Sequence, residues 1–471
     1  MNAAPQRLVQ ALLRNDLLSF TRKVFAELNS GRTFHVSWVH ETIAQYLSII
    51  AVEEQHDRLI VNVPPRSAKS TMASVALPAF LLGRDPTKRI IVVSYNQELS
   101  NFFSRQTRQV MQSSWYRALF PSTRIPDRAA ETTFYTSAGG YRMATSTGGT
   151  LTGRGGDLII IDDPLKGDDA YSQSAREASL EWAMNTLFTR LDDKSRGGII
   201  LVQQRQHEDD LSGHMLRTGS WLHLNLPAIA TKDEEILLSK TPLRFHPRKI
   251  GDVLDPYREP LRVLDQLKVQ MGTNAFVAQY QQDPLPPDGD VIKIDWFKTY
   301  DDVPDDGETV LSIDTASKAG LRNDWSVISH WRVHAGRFYL LGLWRRRVEY
   351  PELKHSVIEH ARRLRPTTIL IEDKGSGIGL VQDLQSDGEG LPVIGWDPGQ
   401  YDKETRMRIH SAKIEAGLVL LPPSAPWLDA FVDEVRRFPN GTHDDQIDAM
   451  SQLLDWHSRP SSRMFITQFR S

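Results

Sequence analysis

The stretch that decides the fold is LIVNVPPRSAKST, residues 59–71. LIVNV predicts a buried strand, PPRSA a tight loop, and Lys69 and Ser70 open the helical segment TMASVALPAFLL. A strand, a loop and a helix starting at Lys-Ser form the context of a phosphate-binding loop (P-loop), where backbone N–H groups hold phosphate oxygens. We therefore expect Lys69 to neutralise the outer phosphates of ATP and Ser70 to ligate Mg²⁺.

The loop departs from the general motif, because Val63 and Ala68 stand where glycines are usual. The alternative is a plain strand-to-helix turn with a solvent-facing lysine, which is common on protein surfaces. If the loop does bind ATP, its nucleotide contacts are predicted to come from Arg66, Ser67, Ala68, Lys69, Ser70 and Thr71.

A second motif, DLIIIDDP at 157–164, strengthens the first. Four apolar residues end in Asp162, predicted to hold Mg²⁺ with ATP, and Asp163, predicted to orient or deprotonate the attacking water. The alternative is a helix N-cap or a turn before Pro164. Asp163 replaces a more usual glutamate, so its catalytic role is the less secure of the two.

Outward from these motifs, short apolar runs alternate with helical stretches, at 59–63, 90–95, 157–161 and 198–204. This pattern predicts a mostly parallel sheet with helices on both faces. Residues before 58 have helical spacing and read as one or two helices. The stretch DPLPPDGD at 283–290 is rich in Pro, Asp and Gly, a composition typical of a linker. A second, mixed α/β fold is expected from about residue 308, with two antiparallel strands turning at 334–336.

The second half holds acidic residues that end or follow apolar segments. Asp314 lies in LSIDTA, Glu372 in ILIEDKGSG, and Asp444, Asp445 and Asp448 in HDDQIDAM. In an RNase H-like fold such carboxylates converge at one sheet edge, where two divalent cations about 3.5–4 Å apart activate water and stabilise the leaving oxygen. Asp445 is favoured over Asp444 as a ligand and Asp448 is a third possibility. Any one of these aspartates alone is ordinary at a strand end or helix start.

Composition narrows the remaining choices. The 471 residues contain no cysteine, so metal ligands must be carboxylates or histidines, which favours hard ions such as Mg²⁺. The net charge of −3 argues against a protein that coats nucleic acid through overall charge, although basic residues such as Arg345 and Lys403 could line a local groove. No run of about 18 apolar residues is present, so no membrane association is expected.

The elements PPRSAKS, TGRGGDLIIIDDP and RQHEDDLSG resemble those of tailed-bacteriophage terminase large subunits, and the resemblance extends over the whole chain. It implies a P-loop (ASCE-type) NTPase domain followed by an RNase H-like mixed α/β nuclease domain. The expected division is a helical lead-in (1–57), an ATPase motor (58–282), a linker (283–307) and a nuclease (308–471).

The resemblance also implies roles and partners. Arg154 is the candidate arginine finger, in cis or across a subunit interface, with Arg66 as its competitor. Gln203 and Gln204 lie where the family couples hydrolysis to movement, although the family's Thr-Arg-Trp here reads Gln204, Arg205, Gln206.

The implied function is packaging of double-stranded DNA by a ring, a pentamer, on the portal protein, with a small terminase subunit. Two Mg²⁺ or Mn²⁺ ions would serve the nuclease. The implied location is the host cytoplasm, transiently at the procapsid portal and not in the mature virion.

Two other classes of function compete with this interpretation. A helicase-like ATPase or repair nuclease would share the P-loop but should show further helicase motifs before the linker. A degenerate ATPase kept as a docking piece is suggested by Ala68 and by Asp163 in place of glutamate. Loss of ATP turnover on substitution of Lys69 would distinguish the motor from the docking piece.

Overall fold

A computed structural model describes residues 3–53, 57–126, 130–151, 153–284, 291–315, 325–386, 390–399, 401–439, 441 and 443–459. The chain divides into two compact units, which are described separately. The first unit contains Met1–Lys268 and Thr273–Pro286, and the second contains Val269–Gly272 and Pro287–Ser471. None of the helices within the described ranges has the length and apolar character needed to cross a bilayer.

The first unit is built on a seven-stranded sheet in the order β3-β4-β2-β5-β6-β1-β7. All neighbouring strands are parallel except β3 and β4. The mostly parallel sheet predicted from the sequence is therefore confirmed. The strands of this unit are β1 (Arg58–Asn62), β2 (Arg89–Ser94), β3 (Thr133–Tyr135), β4 (Tyr141–Ser146), β5 (Leu158–Asp162), β6 (Gly198–Gln203), β7 (Leu222–Asn225), β8 (Glu234–Lys240) and β9 (Leu243–Arg248).

Helices cover both faces of this sheet. Within β1, Leu59 and Val61 pack into one apolar core and Ile60 into another, as the alternation of side chains along a strand requires. The helices that begin in this unit are α1 (Ala3–Asn15), α2 (Leu17–Leu28), α3 (Trp38–Ala51), α4 (Leu77–Arg84), α5 (Gln97–Gln112), α6 (Ser114–Leu119), α7 (Gln173–Trp182), α8 (Leu211–Arg217), α9 (Leu261–Met271) and α10 (Thr273–Gln279).

The amino-terminal segment forms three helices, so the prediction of one or two was too few. Asp16 breaks the first helical stretch because its carboxylate accepts a hydrogen bond from the Ser19 N–H at 2.7 Å and caps α2. Phe20 and Leu47 are fully buried in the core beside β1. These helices therefore belong to the first unit rather than preceding it.

The second unit contains a mixed sheet in the order β10-β16-β13-β12-β11-β14-β15. Strands β11, β12 and β13 are antiparallel neighbours, whereas β14 and β15 continue parallel to β11. The mixed α/β prediction is confirmed. The strands are β10 (Lys298–Thr299), β11 (Glu308–Asp314), β12 (Ser326–His334), β13 (Arg337–Arg346), β14 (Thr368–Glu372), β15 (Val393–Trp396) and β16 (Val419–Leu421), and the helices are α11 (Tyr350–Leu364), α12 (Ser376–Ser386), α13 (Lys403–Glu415), α14 (Leu428–Arg437) and α15 (Asp445–Ser458).

The boundary between the predicted folds needs correction. The sequence predicted a linker over 283–307, whereas the described residues 291–307 form part of the second unit. Val291 and Ile292 are each 1% exposed in its apolar core, and β10 pairs with β16. The apolar pair after the Pro- and Gly-rich stretch is buried, so it cannot be a solvated linker. Residues 285–290 of the predicted linker lie outside the described residues.

The turn from β14 into α12 depends on one glycine. A Cβ at Gly377 would lie 1.9 Å from the Glu372 carbonyl oxygen, whereas a Cβ at Gly379, in the same helix, meets nothing closer than 3.8 Å. We expect Gly377→Ala to reduce the free energy of unfolding by about 1–3 kcal/mol through overpacking and to displace Glu372. Gly379→Ala should instead be neutral or stabilising by up to about 1 kcal/mol, because alanine favours a helix. Thermal denaturation of both variants tests this, and equal melting temperatures would contradict it.

Candidate active sites

The first site lies at the carboxyl edge of the parallel sheet. The register of the strands places Asn62 (β1) beside Gln203 (β6), and Ser94 (β2) beside Asp162 (β5). Polar residues thus end four neighbouring strands at one edge, where ligands bind in open α/β sheets.

The loop after β1 has an unusual backbone. Arg66 and Ala68 adopt positive φ angles of 63° and 56°, in the left-handed region that glycine normally occupies. The Ser67 hydroxyl donates to the Pro64 carbonyl and fixes the turn from inside. Such strained backbone persists only where the surroundings hold it, and it clusters at functional sites. The helix that follows has a wide turn over Thr71–Ala76 before α4.

Lys69 is turned inward. Its side chain is 6% exposed, and its Nζ lies 3.3 Å from Asp163 Oδ2. Asp163 has a φ of 45°, and its other carboxylate oxygen accepts from the Gln204 N–H at 3.1 Å. The alternative of a solvent-facing lysine in a plain turn is therefore wrong.

Asp162 is buried and receives two hydroxyl groups. Ser70 Oγ donates to Asp162 Oδ1 at 3.0 Å, and Ser74 Oγ donates to Oδ2 at 2.7 Å. Burial, and then the neighbouring Asp163 charge, raise the pKa of Asp162 to about 7. These oxygen donors fit Mg²⁺, because a cation beside them would favour the ionised carboxylate. The alternative of a simple N-cap or turn at Asp162 does not agree with these contacts.

Ser74 was missed by sequence reasoning, although it lies one helical turn after Ser70 and on the same helix face. We expect Ser74→Ala to lower kcat/KM for Mg·ATP about tenfold at pH 7, because a hydrogen bond to a charged group is lost. Since this bond lowers the pKa of Asp162, its loss should also move the acidic limb of the pH profile upward. Ser104→Ala is the control, because that buried hydroxyl has no hydrogen-bond partner among the described residues. Equal profiles for the two variants would contradict the role.

Arg154 does not join this site within the chain. Its guanidinium donates to Thr133 Oγ1 at 2.8 Å, and it precedes β5. The first residue of β5 lies at the amino edge of the sheet, about 13 Å from the carboxyl edge for a five-residue strand. Among the described residues, Arg154 makes this contact with Thr133 and none with Lys69 or Asp163, so its role as a finger in cis stays a prediction. A role across a subunit interface stays a prediction. Arg154 could instead be a loop arginine paired with Asp157, but among the described residues these two side chains form no ion pair, and the Asp157 carboxylate accepts from the Arg89 N–H.

Residues after β6 form a rigid turn beside Asp163. Arg205 Nε lies 3.0 Å from both carboxylate oxygens of Asp210, and the Arg205 N–H donates to the Gln282 side chain at 2.9 Å. Gln204 contacts Asp163 through its backbone, and Gln203 is buried. In the RQHEDDLSG element, the bonds of Arg205 thus keep the preceding residue, Gln204, next to Asp163.

The second site lies where β11, β14 and α15 meet. The Ser312 hydroxyl donates to the Ala449 carbonyl at 2.7 Å and fixes α15 against β11. Glu434 accepts the backbone N–H groups of Gln446 and Ile447 and so holds the start of α15. These bonds place the acidic first turn of α15 beside Asp314 at the end of β11.

The carboxylates of this site influence one another. Burial, then Asp448, and more weakly Asp445 and Glu372, raise the pKa of Asp314 well above its usual range, whereas Lys403 lowers it. Burial also raises the pKa of Asp445, and raises that of Asp448 to about 7. Asp448 therefore acts on the pKa of Asp314 more strongly than Asp445 does, and which of the two ligates metal stays a prediction. Carboxylate oxygens are the ligands that hard divalent cations prefer, and such a cation would offset the repulsion among these acids.

Cationic side chains already contact these acids. Lys403 Nζ lies 2.9 Å from Asp444 Oδ1 and also contacts Asp448, while Arg345 Nη2 lies 3.3 Å from Asp445 Oδ2. Within the described residues, no group of three or more acidic or histidine side chains stands in an arrangement that would hold a metal ion. Through these contacts Lys403 and Arg345 belong to the site, whereas the sequence predicted them only as residues of a basic groove.

Comparison with known proteins places this second site. Residues 311–455 match the family model described as the terminase RNaseH-like domain. The matched range lies within the second unit. All five predicted acidic residues of the second site lie within the matched range.

The fold of the whole chain agrees with this family. The large terminase of a thermophilic bacteriophage is similar, with a TM-score of 0.55 and 10% identity over 89% of this chain and 98% of that chain. The same phage protein in complex with ATP-gamma-S is similar over the same shares, with a TM-score of 0.52 and 10% identity. No curated protein matches the sequence. These findings confirm the predicted resemblance to phage terminase large subunits.

Proposed function

We propose that this chain is a DNA-packaging motor that hydrolyses ATP in its first unit and cuts double-stranded DNA in its second. Hydrolysis drives DNA into a procapsid, and cutting of concatemeric DNA begins and ends packaging. The observation that carries the proposal is the presence, in one chain, of a Lys69–Asp163 pair after a strained phosphate loop and an acidic cluster in a terminase RNaseH-like domain.

The first site has one role for each residue. Backbone N–H groups of Arg66 to Thr71 hold phosphate oxygens, and Lys69 leaves Asp163 to neutralise the outer phosphates. Ser70 and Asp162 would hold Mg²⁺, which would supply charge neutralisation when bound. Asp163, held by the Gln204 N–H, then orients the attacking water. The ATP-gamma-S complex of the similar phage terminase supports a nucleotide at such a site. The buried Lys69 favours a working ATPase over a degenerate docking piece.

The second site has the donors for metal-dependent cleavage. Asp314, Glu372 and Asp448 are the proposed first ligands, with Asp445 and Asp444 completing the set for two divalent cations. When bound, Mg²⁺ or Mn²⁺ would supply an activated water and stabilise the leaving oxygen. The carboxylates of α15 are held in place by Glu434 and by the Ser312 bond to the helix.

The assembly follows from the proposed function. Copies of this chain form a ring, a pentamer, on a portal protein in the host cytoplasm, and a small terminase subunit selects the DNA. Arg154, which is exposed at the amino edge of its sheet, would act on the ATP of a neighbouring copy. This placement accounts for an arginine far from its own phosphate loop.

Two assays on the purified full chain test the proposal. We expect ATP hydrolysis, and linearisation of circular double-stranded DNA, in Mg²⁺ or Mn²⁺, and both should stop when EDTA is added. Cleavage that persists in EDTA would contradict the metal-dependent site. A folded protein that neither binds ATP nor cuts DNA would contradict the function as a whole.

A further inference from the structure

Lys403 reaches into the acidic cluster from α13. Its ammonium lies 2.9 Å from Asp444 Oδ1 and contacts Asp448 Oδ2. One ammonium therefore contacts two carboxylates at the start of α15.

The position of Lys403 is set by a rigid helix, although its side chain stays half-exposed. Asp402 caps α13 by accepting the Thr405 N–H at 2.7 Å. One turn later, the buried Arg406 packs over the Trp396 ring at 5.3 Å. The Lys403 side chain is 50% exposed and Asp448 is 6% exposed. The lysine can therefore swing into solvent while its helix and its carboxylate partners stay in place.

We propose that Lys403 is a built-in counter-ion that competes with a divalent cation for Asp448 and so sets the metal affinity of the second site. This inference rests on the proposed nuclease function. A divalent cation needs the Asp448 oxygens that the ammonium contacts, and two cations held at one carboxylate repel each other. Metal binding thus requires Lys403 to leave.

The two neighbouring arginines do not have this freedom. Arg406, whose Nη2 lies 3.7 Å from Asp448 Oδ1, is 8% exposed. Arg345 contacts both Asp445 and Glu434, is 20% exposed, and lies over the Trp325 ring at 4.7 Å. A planar guanidinium held by two carboxylates and a ring is fixed, whereas an ammonium on a flexible stem is displaced readily. Lys403 is therefore the cation that yields to the metal.

Direct Mn²⁺ binding to the full chain, measured by titration calorimetry, tests this role without DNA. We expect Lys403→Met and Lys403→Gln to tighten Mn²⁺ binding at least about tenfold, by analogy with other residues that tune metal ligands. Lys403→Arg, which keeps the charge, should not tighten it. Lys354→Met is the matched control, because it removes a lysine from another Lys–Asp pair of the same unit, at 3.2 Å from Asp383.

The melting temperature is a second measurement, and it can be used even for variants that fold poorly. In EDTA, loss of the counter-ion should lower the melting temperature, and Mn²⁺ should raise that of Lys403→Met more than that of the wild type, because ligand binding stabilises the folded state. Unchanged or weaker Mn²⁺ binding by both neutral variants would overturn the proposal. Absence of Mn²⁺ binding by the wild type, with Asp314→Asn no different, would instead overturn the nuclease site itself.

Discussion

Lys69→Ala will lower ATP turnover by about 10³-fold or more, because a buried charge that stabilises the transferring phosphoryl group is lost. Lys69 is 6% exposed and contacts Asp163. A cation from the solvent would have to lose its water to take this position, so it does not replace the lysine. The substitution also leaves Asp163 without its partner beside the buried Asp162. Steady-state phosphate release at saturating Mg·ATP measures the effect.

The control for this variant is Lys232→Ala. Lys232 is 74% exposed in an ion pair with Glu234 at 3.3 Å in the same unit, and surface pairs of this kind contribute little to stability. Its turnover should equal that of the wild type. Undiminished turnover by Lys69→Ala would show that the loop after β1 is not the nucleotide site.

Asp314→Asn will reduce DNA cleavage in Mg²⁺ by about 10³-fold or more, because the central carboxylate of the second site becomes neutral. The change keeps the size of the side chain, and it removes repulsion from the buried cluster, so we expect the fold to be at least as stable as that of the wild type. Linearisation of a circular plasmid over time measures the loss.

Asp383→Asn is the matched control for that variant. Asp383 is 45% exposed, accepts hydrogen bonds from Tyr350 and Lys354, and lies on α12 in the same unit. Cleavage by this variant should be normal. Equal cleavage by Asp314→Asn and the wild type would rule out the acidic cluster as the catalytic site.

The sequence predicted those strands and loops that depend on the residues of one short segment. The runs IIVVS before α5 and LIIID before Pro164 are strands because branched apolar side chains are buried on both faces of a parallel sheet. The order of strand, loop and helix predicted the phosphate loop even without glycines. The loop forms with alanine because the surroundings of Ala68 hold it in the left-handed region.

Features that depend on tertiary contacts escaped prediction. Nothing in the sequence around Lys403 indicates that it reaches Asp444 and Asp448, which lie far along the chain on another helix. The bond from Ser312 to Ala449, which fixes α15 against β11, likewise joins residues far apart in the sequence. The hairpin of β8 and β9 was missed because β8 is mostly half-exposed, β9 is mostly exposed, and neither has a buried run.

The central claim is that one chain carries two independent sites. The most direct test is the crossed measurement, ATP turnover by Asp314→Asn and DNA cleavage by Lys69→Ala, each made on the full chain. We predict that Asp314→Asn hydrolyses ATP as the wild type does and that Lys69→Ala still linearises plasmid DNA. Loss of both activities in either well-folded variant would contradict the account.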